Sequence, residues 1–354
     1  MVIRSLDAVL PSDVPADTLV ADWLRQHPRC IPTQRSECPH GNALTNRAMA
    51  QDIAAILASL PAAGKVIKNP AGQPDDLAHD AFFHVRRLKQ DEPAVFVHSI
   101  FSARLTFLQD VYEQAVTIDR ADLELIDRGF SDLLSCLSGG TVNESTYVNQ
   151  WHAPSATCLA MNRWVHGHLI FALLSQGLIL SFRSLGQALR AGKSEKIQKW
   201  ADLSISLLKA SGAAFVFTGD FPPGEYENTI RPSMTPPISP IGLSGLMSAD
   251  HRHMAQTIRD MRPALKALAE QEPERHDRLA GAVADVYDRH IFVCERFVGS
   301  RPSILTAGRT ERSGPSLIEQ FKTLRLKPFE HAQRATRLTA EHSSTALGEC
   351  PFKK

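Results

Sequence analysis

The run from Leu169 to Phe182 is apolar around the whole circumference of a helix, within a periodic stretch covering residues 155–191. A helix without a polar face has to be enclosed by others, so this segment predicts a bundle built around it. A membrane span is the competing reading. It needs about 20 consecutive apolar residues, and Ser175, Gln176 and Gly177 interrupt this run. Residues 45–60, 75–90, 94–118, 120–137 and 193–217 carry apolar side chains at helical spacing, with Pro and Gly between them. Strand-like alternation is nearly absent. The expected fold class is therefore all-α, a multi-helix bundle, and 43% hydrophobic content over 354 residues can fill a substantial core. The chain divides into an N-terminal arm over 1–43 with one short helix near 17–26, a single helical domain over 44–336, and a polar tail over 337–354.

A net charge of +1 gives no electrostatic reason to expect nucleic acid as a partner, and no zinc-finger spacing or RNP-like stretch is present. The first residues are broken by Asp7, Pro11, Asp13 and Pro15 and lack a cationic region followed by an apolar one, so a secretory leader is not expected. Six scattered cysteines point to reduced thiols and a cytoplasmic protein. Cys30, Cys38 and His40 lie close together, but their spacing fits no structural zinc site.

The chemistry-bearing stretch runs from residue 251 to residue 294. Ser248 can cap a helix in which His251, Met254, Ile258, Met261, Leu265 and Leu268 form one apolar stripe, with Pro263 expected to kink or restart it. A second helix after Pro273 aligns Val283, Val286, Tyr287, His290, Cys294 and Phe297. His251 lies 21 residues before Glu272 and His290 lies 18 after it. At the helical rise these are roughly 31 and 27 Å, so antiparallel helices bring the imidazoles level. Level histidines on facing helices can hold a metal or a haem iron. Directly packed helices lie about 8–10 Å apart, so admitting a haem requires the pair to splay at this end. Cys294, one turn beyond His290, could reach the rim of such a macrocycle. No Cys-x-x-Cys-His is present, so a covalent haem would have to form by another route than the periplasmic one.

His251, followed after 38 intervening residues by His290 and then by Cys294 four positions on, resembles a His-x(n)-His-x-x-x-Cys haem-attachment signature. That signature belongs to the 3-methyl-L-tyrosine hydroxylases of saframycin-type antibiotic pathways, among the histidine-ligated haem-dependent aromatic oxygenases related to tryptophan 2,3-dioxygenase. Residues 230–237, 242–245 and 259–263 are also similar to that lineage. The resemblance implies a c-type haem joined by a single thioether to Cys294, with His290 and His251 as axial ligands to the iron. It also implies hydroxylation of 3-methyl-L-tyrosine to 3-hydroxy-5-methyl-L-tyrosine, with hydrogen peroxide, or dioxygen plus a reductant, as oxidant.

Two further regions bear on a site. Residues 141–154 are polar and aromatic and follow neither period, and Tyr147, Trp151 and His152 are candidates to contact an aromatic amino acid. Residues 219–245 hold Pro222, Pro223, Pro232, Pro236, Pro237 and Pro240, read as a long loop without regular structure that serves as a lid or wall over the haem. Arg231 within it is suited to a haem propionate or a substrate carboxylate. His166 and His168, two apart, cannot form a helical ligand pair; one of them could line a haem pocket, and a satisfied core histidine is the favoured reading. His251 is expected to be the catalytic ligand that leaves the iron, since it sits in a first helical turn where local opening is cheapest. Two other classes stay open, a bis-histidine haem electron carrier and a non-haem helical binding protein. The sequence allows a homo-oligomer without requiring one.

Overall fold

The computed structural model describes residues 8–28, 46–60, 74–89, 91–142, 158–239, 243, 247–301 and 313–330. The apolar run forms the middle of α6 (Ala160–Arg190), where Leu173, Leu174, Ile179, Phe182 and Leu185 are completely buried. Gly192, at φ 62°, turns the chain back into α7 (Ser194–Thr218). The sequence argument against a span needs correcting. By length and composition both helices could cross a membrane, and what separates them from a span is enclosure. Other parts of the fold bury 89% of the apolar window of α6 and 72% of that of α7.

The helices that enclose them are α4 (Glu92–Glu113) and α5 (Arg120–Leu137), which contribute Phe96, Phe101, Phe107 and Phe130 to the same core. Gly129 sets the closest approach of α5 to α7. A Cβ there would lie 2.6 Å from Ala210 Cβ, inside contact distance, so only glycine fits without movement. Arg163, fully buried near the start of α6, donates from Nε to Asp110 Oδ2 at 2.7 Å and from Nη1 to Asp220 Oδ2 at 3.2 Å. Those contacts tie the start of α6 to α4 and to the chain leaving α7.

Before α4 the chain forms β1 (Ala8–Pro11), α1 (Asp17–Gln26), α2 (Asn46–Ser59), α3 (Pro74–Phe82) and β2 (Val85–Leu88). The expected helix over 75–90 ends early: His84 adopts φ 55° and the next residues pair in parallel with β1, Ala8 against Val85 and Pro11 against Leu88. This pairing joins segments more than 70 residues apart, and such non-local contacts override local helical preference. Leu10, Val20, Trp23 and Leu24 of the arm belong to the main core. The two short strands are the sole sheet among the described residues, and the fold is all-α in class.

The Pro-rich stretch also departs from expectation, because residues 223–233 are helical. They run as α8 (Pro223–Glu225), a π-helical turn (Tyr226–Ile230) and α9 (Arg231–Ser233). Pro223 sits in the first turn of α8, where no amide donor is needed, and α9, which holds Pro232, follows directly on the π-helical turn. Phe221, Tyr226, Ile230, Met234 and Leu243 make a second core with Val293 and Phe297. The chain continues through α10 (Ala249–Asp260), α11 (Arg262–Gln271), α12 (Pro273–Phe297) and α13 (Gly314–Leu326). The break at Met261 and the restart with Pro263 in the first turn of α11 follow from the sequence.

Candidate functional site

One cavity of about 240 Å³ receives the inward faces of α6, α7, α10, α12 and α13 together with Tyr226, Arg231 and Met234 from the Pro-rich segment. The α12 stripe supplies Val283, Val286, Tyr287, His290, Cys294 and Phe297, the same six residues that the helical period selects. His251 lines the cavity from α10, with Met254 and Ile258 beyond it. His251, His290, Cys294 and Arg231 are therefore brought together. Tyr147, Trp151 and His152 lie outside the described residues, as do Cys30, Cys38 and His40.

The helices that carry the two histidines rest on different neighbours. α10 lies on α6, whereas α12 lies on α7 and α13 and meets the hairpin through α11. Aromatic rings bridge the gap between the imidazoles. His251 is 6.4 Å from Phe171, Phe171 is 4.6 Å from Phe215, and Phe215 stacks on His290 at 4.3 Å and 11°, centroid to centroid. Burial pushes the His290 pKa down to about 4. Burial, reinforced by the charges of Arg325, His290, Arg252 and His79, pushes His251 down to about 3. Both rings are neutral at physiological pH, the form that ligates a metal. Burial, with Glu295 adding to it, raises the Cys294 thiol to about 11.

These residues fit a haem. His251 Nδ1 is buried without a hydrogen-bond partner among the described residues, a cost that a ligand can relieve. The walls are apolar and aromatic, and among the described lining residues Arg231 is the only Lys, Arg, Asp or Glu. One guanidinium in an otherwise uncharged cavity is placed to meet an anionic group of a bound molecule.

The first turn of α10 is not the loose end the sequence suggests. Ser248 Oγ accepts from the His251 amide at 3.4 Å. Asp250 is 5% exposed and accepts two hydrogen bonds from Arg87, at 3.1 and 2.9 Å, and one from Gln176 at 2.9 Å. The same guanidinium grips Asp80 at 2.6 and 2.9 Å. Burial disfavours charge on Arg87, but Asp250 and Asp80 more than offset it and hold its pKa above the ordinary value. Arg252 adds an ion pair to Asp76 and a bond to the Met247 carbonyl. The backbone that carries His251 is thus bolted to α3, β2 and α6, and local opening there is costly.

Of the α6 wall, the sequence reading reached only the possibility that His166 or His168 lines a pocket, and His168 does. Trp164, Gly167, His168, Phe171 and Ala172 recur at spacings of three and four and all line the cavity. That stripe was legible, but the apolar character of α6 as a whole hides which face meets a cavity and which meets the core. His168 faces the cavity, while His166 lies 3.6 Å from Asp110.

An all-α bundle with two neutral histidines and a thiol on one apolar cavity defines a class: helical proteins able to hold a metal-centred cofactor between side chains of facing helices. Within that class the comparisons are specific. A profile of the SfmD 3-methyl-L-tyrosine peroxygenase family matches residues 9–277, and the chain belongs to that family. It is an oxidoreductase of the peroxygenase kind. A curated relative, the 3-methyl-L-tyrosine peroxygenase of Streptomyces lavendulae, is 28% identical over 288 residues, covering 78% of this chain and 79% of the relative. The crystal structure of reduced SfmD, obtained by soaking with sodium hydrosulfite, is similar with a TM-score of 0.69 at 23% identity. It covers 83% of this chain and 99% of that one. The profile match includes His251 and stops before His290 and Cys294.

Proposed function

We propose that this protein hydroxylates the ring of an aromatic amino acid, 3-methyl-L-tyrosine going to 3-hydroxy-5-methyl-L-tyrosine, within an antibiotic biosynthetic route. The observation that carries the reading is the convergence of His251, His290 and Cys294 on one apolar cavity in a chain of this family. His290 and His251 would hold a haem iron, and Cys294 would tether the macrocycle by one thioether. When bound, haem supplies the means to activate hydrogen peroxide, or dioxygen with a reductant, for transfer of one oxygen atom. With peroxide the sum balances: one oxygen enters a ring C–H bond beside the phenol, and water leaves.

The protein's own contribution divides among named groups. His290 sits in the interior of α12 with its ring stacked on Phe215, so it would be the more firmly held of the two ligands. His251 has a backbone fixed by Ser248, Asp250 and Arg87 but a ring nitrogen that no described residue engages. The movement this leaves open to His251 is rotation of its side chain with the helix turn intact. Arg231 serves a propionate or the substrate carboxylate. The aromatic walls exclude water from the reacting centre. Among the described residues Cys136, Cys158 and Cys294 are free thiols, which supports a cytoplasmic location.

The test is turnover by the haem-loaded protein. Incubation with 3-methyl-L-tyrosine and hydrogen peroxide, or with dioxygen and a reductant, should give a product heavier by one oxygen atom, with a catechol absorption. Persistent recovery of unchanged substrate under both regimes removes the proposed activity.

A further inference from the structure

The α3–α6 end of the cavity carries polar groups to which ligation and tethering assign no task. His168 Nδ1 lies 2.7 Å from the Trp164 carbonyl oxygen. A carbonyl only accepts, so Nδ1 carries the proton. Burial drives the His168 pKa down to about 3, although the bond to the Trp164 carbonyl works the other way, and the ring is neutral. Its Nε2 is therefore a bare acceptor. Phe83 fixes the plane of the imidazole by stacking at 4.1 Å and 15°, and Trp164 packs against it at 4.5 Å. One helical turn away, the indole Nε1 of Trp164 is buried with no hydrogen-bond partner among the described residues. An N–H left so is costly unless something that binds there accepts from it.

One acceptor and one donor thus sit on adjacent turns of α6, beside aromatic rings and beside His79 of α3, whose buried Nδ1 lies 3.9 Å from Asp80 Oδ1. The chemistry of that pair selects its ligand. A carboxylate would meet a second acceptor in Nε2, and an ammonium would find no anion. A hydroxyl gives its proton to the one and takes a hydrogen bond from the other. The neighbouring Phe83, Phe171 and Tyr226 suit the ring that bears it.

We propose that His168 and Trp164 form the subsite for the phenolic hydroxyl of the substrate, with His168 Nε2 accepting the phenol proton and the Trp164 indole N–H donating to the oxygen. This rests on the proposed function and goes further by naming the residues that separate a tyrosine from a phenylalanine. The role is one of specificity, distinct from iron ligation, and it predicts discrimination that survives without turnover.

The experiment is calorimetric binding to the haem-loaded protein of two probes, 3-methyl-L-tyrosine and its deoxy analogue 3-methyl-L-phenylalanine. The unaltered protein should prefer the phenol by about tenfold or more, the scale of a lost buried hydrogen bond. His168→Phe keeps the stacking on Phe83 and should collapse the preference to about twofold or less, as should Trp164→Phe. His168→Gln, which keeps an acceptor, should restore part of it. Variants that bind both probes and discriminate like the unaltered protein overturn the subsite while leaving the proposed function standing. An unaltered protein that binds neither probe overturns both. Should the variants fail to fold, a crystal structure of the unaltered protein with 3-methyl-L-tyrosine decides: the phenol oxygen within hydrogen-bond reach of His168 Nε2 supports the assignment, and a phenol pointing elsewhere ends it.

Discussion

His251 and His290 differ in what holds them, and that difference is the basis for assigning them different work. The His290 ring lies flat on Phe215 at 4.3 Å, inside a 25-residue helix whose tether candidate, Cys294, is one turn on. Among the described residues the His251 ring has a tilted, more distant aromatic neighbour in Phe171, at 6.4 Å, and a buried nitrogen without a hydrogen-bond partner. Replacing His251 by alanine should leave covalent haem in place and convert a six-coordinate low-spin absorption spectrum to a five-coordinate or water-bound one. An unchanged low-spin spectrum in His251→Ala would remove this histidine from the ligand set. The identities of both residues were visible in the sequence, because a histidine on an apolar helical stripe stands out. The partners that hold them were not: Phe171 and Phe215 come from helices that the spacing of residues 251–294 says nothing about.

Among the elements, α10 depends on contacts remote in sequence. Arg87 arrives from β2, a strand of four residues that exists through pairing with β1, and its guanidinium joins Asp80 to Asp250. Helical periodicity around residues 75–90 conceals this, since neither Arg87 nor Asp250 declares a buried role in its local pattern. For the same reason the first turn of α10 looks loose in the sequence and is anchored in the fold. Arg87→Met is close to isosteric along the stem but leaves two carboxylates buried without a cation. It should cost about 3–5 kcal/mol of stability, measured as a fall in the denaturant midpoint with little change in slope. Because Asp250 precedes His251, the loss should also broaden or weaken the low-spin signal of the loaded protein. A variant with unaltered stability and spectrum would show that this ion-pair cluster does not position the ligand.

At the scale of the whole molecule, the division of labour follows from α6 and α7. They form the floor of the cavity with one face and the centre of the core with the others, so the site is part of the main hydrophobic packing and not an addition to it. The all-α class, the helices α4 to α7 and α10 to α12, and the α12 stripe were all legible, since each rests on local periodicity. The two-stranded sheet, the helical turns within the Pro-rich segment and the α6 wall were not, because each is decided by what packs against it from far along the chain. The Pro-rich segment does act as a wall, as its position before His251 suggested. It does so through Tyr226, Arg231 and Met234, with Ile230 packed behind them in a folded second core.

The central claim is that one cavity grips a haem through His251 and His290 and ties it to Cys294. The most direct test is the intact mass of the loaded protein under denaturing, acidic conditions. The account predicts the polypeptide mass plus one haem, with the increment lost in Cys294→Ala. A bare polypeptide mass from a sample that carries haem before denaturation would contradict the thioether, and an increment that survives in Cys294→Ala would place the bond on another residue.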